Sequence, residues 1–574
     1  MAFPQLTRSL IKERNWSLIV DLLVFAAILA GIYAILATVR YWMGVVTPAA
    51  DISRSPSALP LYAFYSLVRM GAAYLLSLVF AVGYGYIAAH NKRLEMVMIA
   101  VLDILQSIPV LSFLPGVMLA MVALFPTRQL GVELGSIVLI FTGQVWNMAF
   151  SFYSSLRSIP RELREAALIN RFSPMQRFVE LELPFGAIGL VWNSIVSVAG
   201  GWFFLMACEM FELGHHDFRL PGLGSYLQTA AGNGDTAGIL WGLTAMIAVI
   251  VLLDQFVWRP AIAWSEKFKM EQVESAAEVT SPILHLLRKS DLSRWIDKRA
   301  VKPLFEKLTT GSAQEAPAPD ARAKNLGRIA MGIALLALAI AVPYLLIKAA
   351  LLLKGLHGSE LVETLEAAGA SFGRVAASLM IASLWAIPAG VAIGSNPRLA
   401  KVAQPLAQIA ASVPATALFP VVLLGLVRLG GGLGVGSIIL MLLGTQWYIL
   451  FNVIAGAMAI PTELREAASV FRFTRGQRWR TVILPGIFPY LVTGLVTASG
   501  GAWNASIVAE YFHFQGKTMT TLGLGAQISS ATDSGNSELL LVSTVVMALL
   551  VVCVNRLVWR PLYHLAESRF RLEG

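Results

Sequence analysis

The sequence carries little charge and almost no cysteine, and both shortages restrict the class of protein. Only 14% of its 574 residues are charged, whereas soluble domains carry about 25%, which argues against a large water-soluble enzyme. Two cysteines, Cys208 and Cys553, cannot build a disulfide framework. Hydrophobic residues make up 57% of the chain, the mean hydropathy is +0.68, and these residues come in long runs. The composition therefore predicts an integral membrane protein.

Twelve apolar segments are long enough to cross a bilayer, since a hydrocarbon core of about 30 Å requires about 20 helical residues. Those of the first half lie near Leu18–Val39, Leu61–Ala89, Met96–Phe125, Ser136–Leu156, Phe185–Cys208 and Ile239–Val257. Those of the second half lie near Ile329–Leu353, Val375–Ile393, Leu399–Leu426, Ser437–Ala457, Gly486–Val508 and Leu539–Val558. The third segment of each half is interrupted by proline and is expected either as one span or as two shorter pieces. The predicted fold class is an all-α integral membrane protein with six spans in each half.

Positive charge is concentrated in loops on one side of these predicted spans. The loops on that side contain Lys92, Arg93, Arg157, Arg161, Arg164, Arg171 and Arg177, and in the second half Arg398, Lys401, Arg465, Arg472, Arg475, Arg478 and Arg480. The loop Thr127–Leu134 on the opposite side contains a single basic residue, Arg128. Because cytoplasmic loops of membrane proteins are enriched in Lys and Arg, both termini are expected in the cytoplasm. The net charge of +10 then reflects these loops and gives no reason to expect nucleic acid as a partner.

The two halves of the chain repeat one pattern in the same orientation. At a spacing of 301 residues, Gly143 corresponds to Gly444 and Glu209 to Glu510, and upstream, at a spacing of 305, Arg69 corresponds to Arg374. An even number of spans per copy makes the repeats parallel, which predicts a pseudo-two-fold axis along the membrane normal with a central pathway between the copies. We expect a first repeat over residues 1–260, a polar cytoplasmic linker over 261–327 and a second repeat over 328–574.

A polar loop between the fourth and fifth spans occurs in both halves, as Ser158–Leu183 and Ala459–Leu484. Each copy begins with Ile-Pro, continues Glu-Leu-Arg-Glu-Ala-Ala and ends at Leu-Pro. Proline suits the first turn of a helix, and the following residues are strong helix formers. The pattern predicts a short helix outside the bilayer, whose alanines form a smooth face that lets another protein approach closely. A plain surface helix is the alternative, and two copies in one register argue against it.

This loop resembles the EAA loop of the inner-membrane permeases of binding-protein-dependent ABC importers. Other stretches, such as Ser66–Arg69 and the Gly-Leu-Gly triplet at 222–224, are similar to the nitrate, sulfonate, taurine and bicarbonate branch of that family. The duplication is similar to fused permeases assigned to anion import. The resemblance implies a fold like that of a type I ABC importer permease, in which the loop forms a coupling helix that sits in a groove of the ATPase.

The resemblance assigns ATPase coupling to twelve residues. They are Glu162, Arg164, Glu165, Ala166, Ala167 and Arg171, and in the second half Glu463, Arg465, Glu466, Ala467, Ala468 and Arg472. Arg171 and Arg472 stand where the family has glycine, which either questions the usual turn after the coupling helix or suggests a different contact with the ATPase. The implied partners are two ABC ATPase subunits, an extracytoplasmic substrate-binding protein and membrane lipid. ATP and Mg belong to the ATPase, no cofactor is expected on this chain, and the location is the plasma (inner) membrane of a prokaryote.

Six residues are candidates for lining or gating the pathway: Pro109, Trp202, Glu209, Pro414, Trp503 and Glu510. Each of the two prolines interrupts a span. The interruption is either a broken helix that lines the pathway or a kink that serves only helix packing. A carboxylate at mid-membrane costs about 2.5–3.5 kcal/mol on insertion scales. We therefore expect each glutamate to face a watery cavity, the outer interface or a basic partner. For an anionic solute, such a carboxylate serves as a gate or a structural anchor and hardly as a direct ligand.

Two short motifs look functional but are not expected to bind anything. His215-His216-Asp217 resembles a metal site, yet adjacent histidines point in different directions and the second half lacks them. Gly516-Lys517-Thr518 ends like a phosphate loop, but Tyr511 replaces the required glycine. No metal site and no catalytic residues are predicted.

Two other functions fit the sequence less well than an importer subunit. A secondary transporter of 6+6 parallel design explains the duplication, but not the paired Glu-Ala-Ala loops, and the spans offer few charges for proton coupling. A membrane-bound enzyme has no catalytic constellation to support it. The sequence therefore favours a fused permease subunit of an ATP-driven importer for a small solute, with an anion as the expected solute.

Overall fold

A computed structural model of the chain describes residues 52–213, 216–268, 358–428, 431–514 and 517–569, together with scattered residues of 22–44, 295–303 and 347. The predicted first span of each half, 18–39 and 329–353, lies almost entirely outside the described residues, as does most of the linker. The described parts are helical apart from two short hairpins.

The first repeat consists of ten described helices and one hairpin. The helices are α1 (Leu59–His90), α2 (Lys92–Ser107), α3 (Leu114–Leu124), α4 (Leu130–Arg157), α5 (Arg161–Ile169), α6 (Pro174–Arg177), α7 (Leu183–Glu209), α8 (Leu223–Gly232), α9 (Thr236–Leu253) and α10 (Arg259–Ser265). Strands β1 (Glu212–Leu213) and β2 (His216–Asp217) pair antiparallel between α7 and α8. One π-helical turn joins α6 to α7, and another joins α9 to α10. The continuous helices are Pro174–Glu209 and Thr236–Ser265.

The second repeat follows the same order. Its helices are α11 (Gly358–Ser395), α12 (Pro397–Ser412), α13 (Ala415–Arg428), α14 (Leu433–Ala459), α15 (Thr462–Val470), α16 (Arg475–Arg478), α17 (Leu484–Ala509), α18 (Leu524–Ser534), α19 (Ser537–Val554) and α20 (Arg560–Arg569). Strands β3 (Tyr511–Phe514) and β4 (Lys517–Thr520) form the matching hairpin. Lys517 and Thr518 therefore lie in a strand, not in a loop that opens a helix.

Helix starts are encoded at the same register in both repeats. The Asp235 carboxylate accepts a hydrogen bond of 2.9 Å from the N–H of Gly238 and so caps α9. The Asn536 side chain accepts one of 3.1 Å from the N–H of Leu539 at the start of α19. Such caps satisfy N–H groups that a helix leaves without intrahelical partners. The duplication seen in the sequence therefore extends to local structure.

Within the described residues, eight helices are long and apolar enough to cross a membrane, and two shorter apolar helices accompany them, at Val110–Leu124 and Ala415–Leu426. The eight match the predicted second, fourth, fifth and sixth spans of each half. The predicted third spans are not continuous: α2 ends before Pro109 and α12 ends before Pro414, and a new helix begins after each. Of the two expected forms, the structure has the shorter pieces, because proline has no N–H to donate and clashes with the preceding turn.

In each repeat the second, fourth and fifth spans form the core, with α4 packed between α1 and α7 and α14 between α11 and α17. Small residues allow close approach, as is usual for helices in membranes. A Cβ added to Gly85 would lie 2.9 Å from Phe152, and one added to Gly390 would lie 2.8 Å from Val453 at the corresponding crossing. The fourth span is thereby held firmly between its neighbours.

The two repeats contact each other at the turn that follows Pro109. The N–H of Leu111 donates to Oδ1 of Asn504 in α17 at 3.4 Å. The Thr544 hydroxyl of α19 donates to the carbonyl of Ser112 at 3.2 Å. The break in the third span of the first repeat thus forms part of the seam between the repeats.

Candidate coupling loops and buried charge clusters

The two predicted coupling helices form as short helices directly after the fourth span of each repeat. In the first, Nη2 of Arg164 donates to the carbonyl of Leu156 near the end of α4 at 2.8 Å. In the second, Nη2 of Arg465 donates to the carbonyl of Ala457 near the end of α14. Carbonyls in the last turn of a helix have no intrahelical donor, and these arginines supply one. Each coupling helix is therefore tied to the span that precedes it.

The alanine face of these helices points outward only in part, although both alanines of each copy were expected on the outer face. Ala167 and Ala468 are buried against their own chain, although Ala166 is exposed. Their small side chains instead let each helix lie close to the membrane-spanning part. The exposed side chains include the glutamates Glu162, Glu165, Glu463 and Glu466.

A pair of large apolar residues at the end of each coupling helix is exposed instead. The exposed fractions are 71% for Leu168 and 81% for Ile169 in the first repeat, and 78% for Val470 and 73% for Phe471 in the second. These four residues were not among the residues expected to contact the ATPase. The signal was present, because the pair follows the two alanines directly in the first repeat and after Ser469 in the second. Neither pair is needed to continue the membrane spans.

The turn that follows each coupling helix has the left-handed conformation that glycine normally supplies. Arg171 has φ 52° and Arg472 has φ 51°. The N–H of Phe172 donates to the carbonyl of Ala167 at 2.9 Å, and that of Arg171 donates to Leu168 at 3.0 Å. These two bonds define the Schellman ending of a helix. Of the two readings offered for the arginines, loss of the usual turn is therefore wrong.

The second repeat makes the same turn with the same hydrogen bonds. The N–H of Phe473 donates to the carbonyl of Ala468 and that of Arg472 to the carbonyl of Ser469, both at 3.0 Å. Both arginine side chains are exposed. A short capped helix follows in each copy, with Ser173 and Thr474 as the caps.

One charged contact ties the first loop to the second span and is not repeated. The buried carboxylate of Glu182 accepts a hydrogen bond from Nε of Arg177 at 2.8 Å and lies 3.0 Å from Nε2 of His90 at the end of α1. Ile483 occupies the position that corresponds to Glu182. The two loops therefore differ in how they are fixed to their own repeat.

A buried charge cluster lies at the opposite end of the fourth span. Glu209 is fully buried, and its Oε1 accepts hydrogen bonds from Nη1 of Arg69 at 2.8 Å and from the Ser66 hydroxyl at 2.7 Å. Its Oε2 accepts the N–H of Gly224 at 2.7 Å. Arg69 also binds Glu133 through two parallel bonds, from Nε at 2.6 Å and from Nη2 at 2.8 Å. One arginine therefore bridges two carboxylates from two different helices.

The second repeat builds a similar cluster around Glu510. Its carboxylate accepts hydrogen bonds from the Ser371 hydroxyl at 2.8 Å, from Nη1 of Arg374 at 2.9 Å and from the N–H of Gly525 at 2.9 Å. Each glutamate was expected to face a watery cavity, the outer interface or a basic partner. In the structure both lie against a basic partner. Arg69 and Arg374 were not recognised as those partners, and Glu133 was not recognised as the second carboxylate bound to Arg69, because these residues lie far from one another in the chain.

The Gly-Leu-Gly triplets are explained by the same clusters. A Cβ added to Gly222 would lie 2.2 Å from Cδ of Glu209, and one added to Gly523 would lie 2.1 Å from Oε2 of Glu510. The backbone at Gly222 and at Gly523 lies so close to the carboxylate that a residue with a Cβ atom would clash with it. The first glycine of each triplet makes room for the buried glutamate.

The remaining pathway candidates are also buried. Trp202 lines a cavity of about 40 Å³ between the repeats, together with residues of α7, α9 and the turn after α9, and with Gln408 of α12. Trp503 is buried in α17, and Pro109 and Pro414 stand at the helix breaks described above. The cavity has room for little more than one water molecule. Of the dismissed metal motif, His216 and Asp217 lie in β2, whereas His215 falls outside the described residues.

Known proteins resemble this chain in parts of its length. It is 28% identical to the nitrate import permease protein NrtB of Leptolyngbya laminosa over 33% of the chain and 64% of that protein. It is 31% identical to the bicarbonate transport system permease protein CmpB of Synechocystis sp. over 25% of the chain and 49% of that protein. It is 28% identical to the taurine transport system permease protein TauC of Escherichia coli over 32% of the chain and 62% of that protein. Each match therefore spans about half to just under two thirds of the relative's length.

A family model matches the chain twice. The model of the binding-protein-dependent transport system inner membrane component covers residues 81–257 and again residues 386–560. Each match contains one coupling loop and one of the two buried glutamates, and together they take up more than half of the chain. The chain belongs to the family of inner membrane components of binding-protein-dependent transport systems, and it carries the family domain in two copies.

Proposed function

We propose that this chain is the fused transmembrane permease subunit of an ATP-driven ABC importer, which moves a small anionic solute and is powered by separate ATPase subunits. The observation that carries the proposal is the presence of two coupling helices in one chain, each tied by an arginine to its fourth span and each ended by the same left-handed turn. One such chain takes the place of a permease dimer.

The solute class is suggested by the relatives. The printed names of three of them refer to nitrate, bicarbonate and taurine, and each of these compounds carries an oxyanion group. An extracytoplasmic binding protein delivers the solute, and two ATPase subunits bind ATP and Mg on the cytoplasmic side. The chain lies in the plasma (inner) membrane of a prokaryote with both termini in the cytoplasm. A secondary transporter needs no binding protein, which disagrees with the family to which this chain belongs.

The surface that contacts the ATPase is proposed to centre on the exposed apolar pairs, Leu168–Ile169 and Val470–Phe471. Apolar side chains with most of their surface in water gain free energy when a partner covers them, at about 25 cal/mol for each Å². Four exposed glutamates lie on the same helices as these pairs: Glu162, Glu165, Glu463 and Glu466. Their carboxylates could form ion pairs with basic residues of the ATPase at the edge of the contact. Arg171 and Arg472 flank the same surface, while the buried Ala167 and Ala468 hold each helix close to its repeat.

Movement reaches the far side of the membrane through the fourth span. The coupling helix α5 follows α4 after three residues, and Glu133 near the start of α4 belongs to the buried cluster. Glu133 and Arg157 are about 36 Å apart along the helix, at 1.5 Å for each residue. A rigid helix of this length transmits a displacement of the loop to the cluster. We propose that the clusters act as structural anchors for the outer ends of the repeats.

The route for the solute is proposed to open along the seam between the repeats. Trp202 lines the small cavity there, and the turn after Pro109 contacts the second repeat. Pro414 and Trp503 are the corresponding positions of the second copy. In this proposal, separation of the repeats widens the seam, while Glu209 and Glu510 keep each half intact by holding Arg69 and Arg374.

Docking is tested by adding charge to the exposed pairs. We expect the fourfold variant Leu168→Asp, Ile169→Asp, Val470→Asp and Phe471→Asp to lose at least 90% of the ATPase that co-purifies with the wild-type chain, because a buried interface does not tolerate unpaired carboxylates. The measurement is co-purification from membranes in which the chain and its ATPase are produced together.

The matched control is Leu522→Asp, which adds a carboxylate at an exposed leucine at the other end of the bundle. This control is expected to retain the ATPase. Retention of the ATPase by the fourfold variant would show that these pairs are not the docking surface. Equal loss in both variants would point to a general effect of added charge.

A further inference from the structure

The two buried clusters differ at one edge of their arginine. In the first repeat, Nε and Nη2 of Arg69 bind the two carboxylate oxygens of Glu133 at 2.6 and 2.8 Å. In the second repeat, Nη2 of Arg374 donates to the hydroxyl of Thr521 at 2.8 Å. Among the described residues, Glu510 is the only carboxylate that forms an ion pair with Arg374, and it does so through Nη1.

Gly434 occupies the position in α14 that Glu133 occupies in α4. The Ser136 hydroxyl donates to the carbonyl of Glu133 at 2.8 Å, and the Ser437 hydroxyl donates to the carbonyl of Gly434 at 3.0 Å, so the two helices are in the same register here. A Cβ added to Gly434 would lie 3.6 Å from Oγ1 of Thr521, the atom that Arg374 binds. A side chain at position 434 would therefore point toward the arginine.

The missing side chain leaves the second cluster with a different charge and a different exposure. Arg69 balances two carboxylates and is 1% exposed, whereas Arg374 forms an ion pair with only Glu510 in the described part of the chain and is 14% exposed. Gly434 and Thr521 are both partly exposed. The Nε and Nη2 edge of Arg374 is thus within reach of small solutes from this end of the bundle.

The chemistry of that edge selects one kind of ligand. Two parallel N–H donors of a guanidinium match two oxygens of a carboxylate, nitrate, bicarbonate or sulfonate group. The attraction is stronger at a largely buried site than in water, because the effective dielectric constant is lower. The first repeat demonstrates that an arginine in this setting holds a second anionic group beside its buried glutamate.

We propose that the Nε and Nη2 edge of Arg374, together with the Thr521 hydroxyl, binds one oxyanion group of the solute at the position that the Glu133 carboxylate takes in the first repeat. The inference rests on the proposed function in that it takes the solute to be an oxyanion. It adds that the site belongs to one repeat, lies at the end of the bundle opposite the coupling helices and binds one anion for each chain.

Binding is measured by isothermal titration of the purified chain, without ATPase, using sodium nitrate, sodium bicarbonate, taurine and sodium chloride as separate probes. We expect at least one of the three oxyanion probes to bind with a stoichiometry of one and chloride to bind at least tenfold more weakly. Gly434→Glu supplies the internal carboxylate and should weaken the oxyanion at least tenfold. Arg374→Lys keeps the charge, loses the paired donors and should weaken it by a similar factor.

The matched control is Gly432→Glu, which adds the same charge two residues away, at an exposed position with no side chain or backbone within 4 Å of an added Cβ. It should change the dissociation constant less than threefold. The proposal is overturned if none of the oxyanions binds the wild-type chain, if chloride binds equally well, or if folded Gly434→Glu binds as the wild type does. Because no ATPase is present, these outcomes are independent of whether the coupling helices dock.

Discussion

Arg164 in the coupling helix α5 donates a hydrogen bond of 2.8 Å to the backbone carbonyl of Leu156, one residue before the end of α4. Arg465 makes the same contact with Ala457 in the second repeat. The arginine of the Glu-Leu-Arg-Glu sequence is therefore directed toward its own repeat. It fixes the angle between the coupling helix and the fourth span.

Removing this contact should loosen the coupling helix while leaving the proposed docking residues Leu168 and Ile169 in place. For Arg164→Ala we expect a local loss of about 1 kcal/mol, since a hydrogen bond from a partly exposed charged group is worth about that much. Amide hydrogen exchange in α5 should then become about fivefold faster. Arg161→Ala, at an exposed position of the same helix, is the control. Equal exchange in the wild type and in Arg164→Ala would show that the hydrogen bond does not hold the helix.

The left-handed arginines should be replaceable by glycine with a gain in stability. A residue with a side chain pays about 1 kcal/mol for a positive φ that glycine adopts freely. We expect Arg171→Gly and Arg472→Gly to stabilise the chain by about 1 kcal/mol each, measured by thermal unfolding in detergent. Arg171→Ala and Arg472→Ala retain the strain and should leave the stability nearly unchanged. A gain of the same size from alanine would show that removal of the charge, and not of the strain, is responsible.

The parts of the fold that depend on local signals could be predicted from the sequence. The coupling helices, their position after the fourth span and the break at Pro109 follow from helix propensity, proline and the spacing of the repeat. The direction in which Ala167 faces could not be predicted, because Ala166 to Ile169 form one apolar run. Such a run fits a helix that buries either side, and tertiary packing decides between them.

The buried clusters could be predicted only in part. The cost of a carboxylate in an apolar helix indicates that Glu209 needs a partner, but that partner, Arg69, lies 140 residues earlier in the chain. A single sequence contains no signal for contacts over such a distance. The hairpins after α7 and α17 were missed as well, because strands of two and four residues are too short to show an alternating pattern.

The two buried glutamates should differ in what their neutralisation costs. Glu510→Gln leaves the largely buried Arg374 without a carboxylate partner among the described residues, for which a loss of about 3 kcal/mol is expected, at the lower end of the range for a fully buried pair. Glu209→Gln leaves Arg69 bound to both oxygens of Glu133, so that the loss is closer to one charge-assisted hydrogen bond, about 1.5–3 kcal/mol. Thermal unfolding in detergent without added oxyanions compares the two variants. A larger loss for Glu209→Gln would contradict the assignment of Glu133 as the second partner.

The first glycine of each Gly-Leu-Gly triplet should not tolerate even a methyl group. In Gly222→Ala the new Cβ would lie 2.2 Å from Cδ of Glu209, so the buried carboxylate must move away from Arg69 and from the N–H of Gly224. Overpacking of this kind costs about 1–3 kcal/mol, and we expect Gly523→Ala to cost a similar amount through Glu510. Both losses are measured as changes in the free energy of unfolding.

The control for this prediction is Gly232→Ala at the end of α8, where an added Cβ meets nothing within 4 Å. Alanine is favoured over glycine within a helix by about 1 kcal/mol, so this variant should be neutral or slightly more stable. The comparison separates the steric demand of the buried carboxylate from a general effect of replacing glycine. A Gly222→Ala variant as stable as the wild type would mean that Glu209 can leave its pocket freely, and an anchoring role for the cluster would then be untenable.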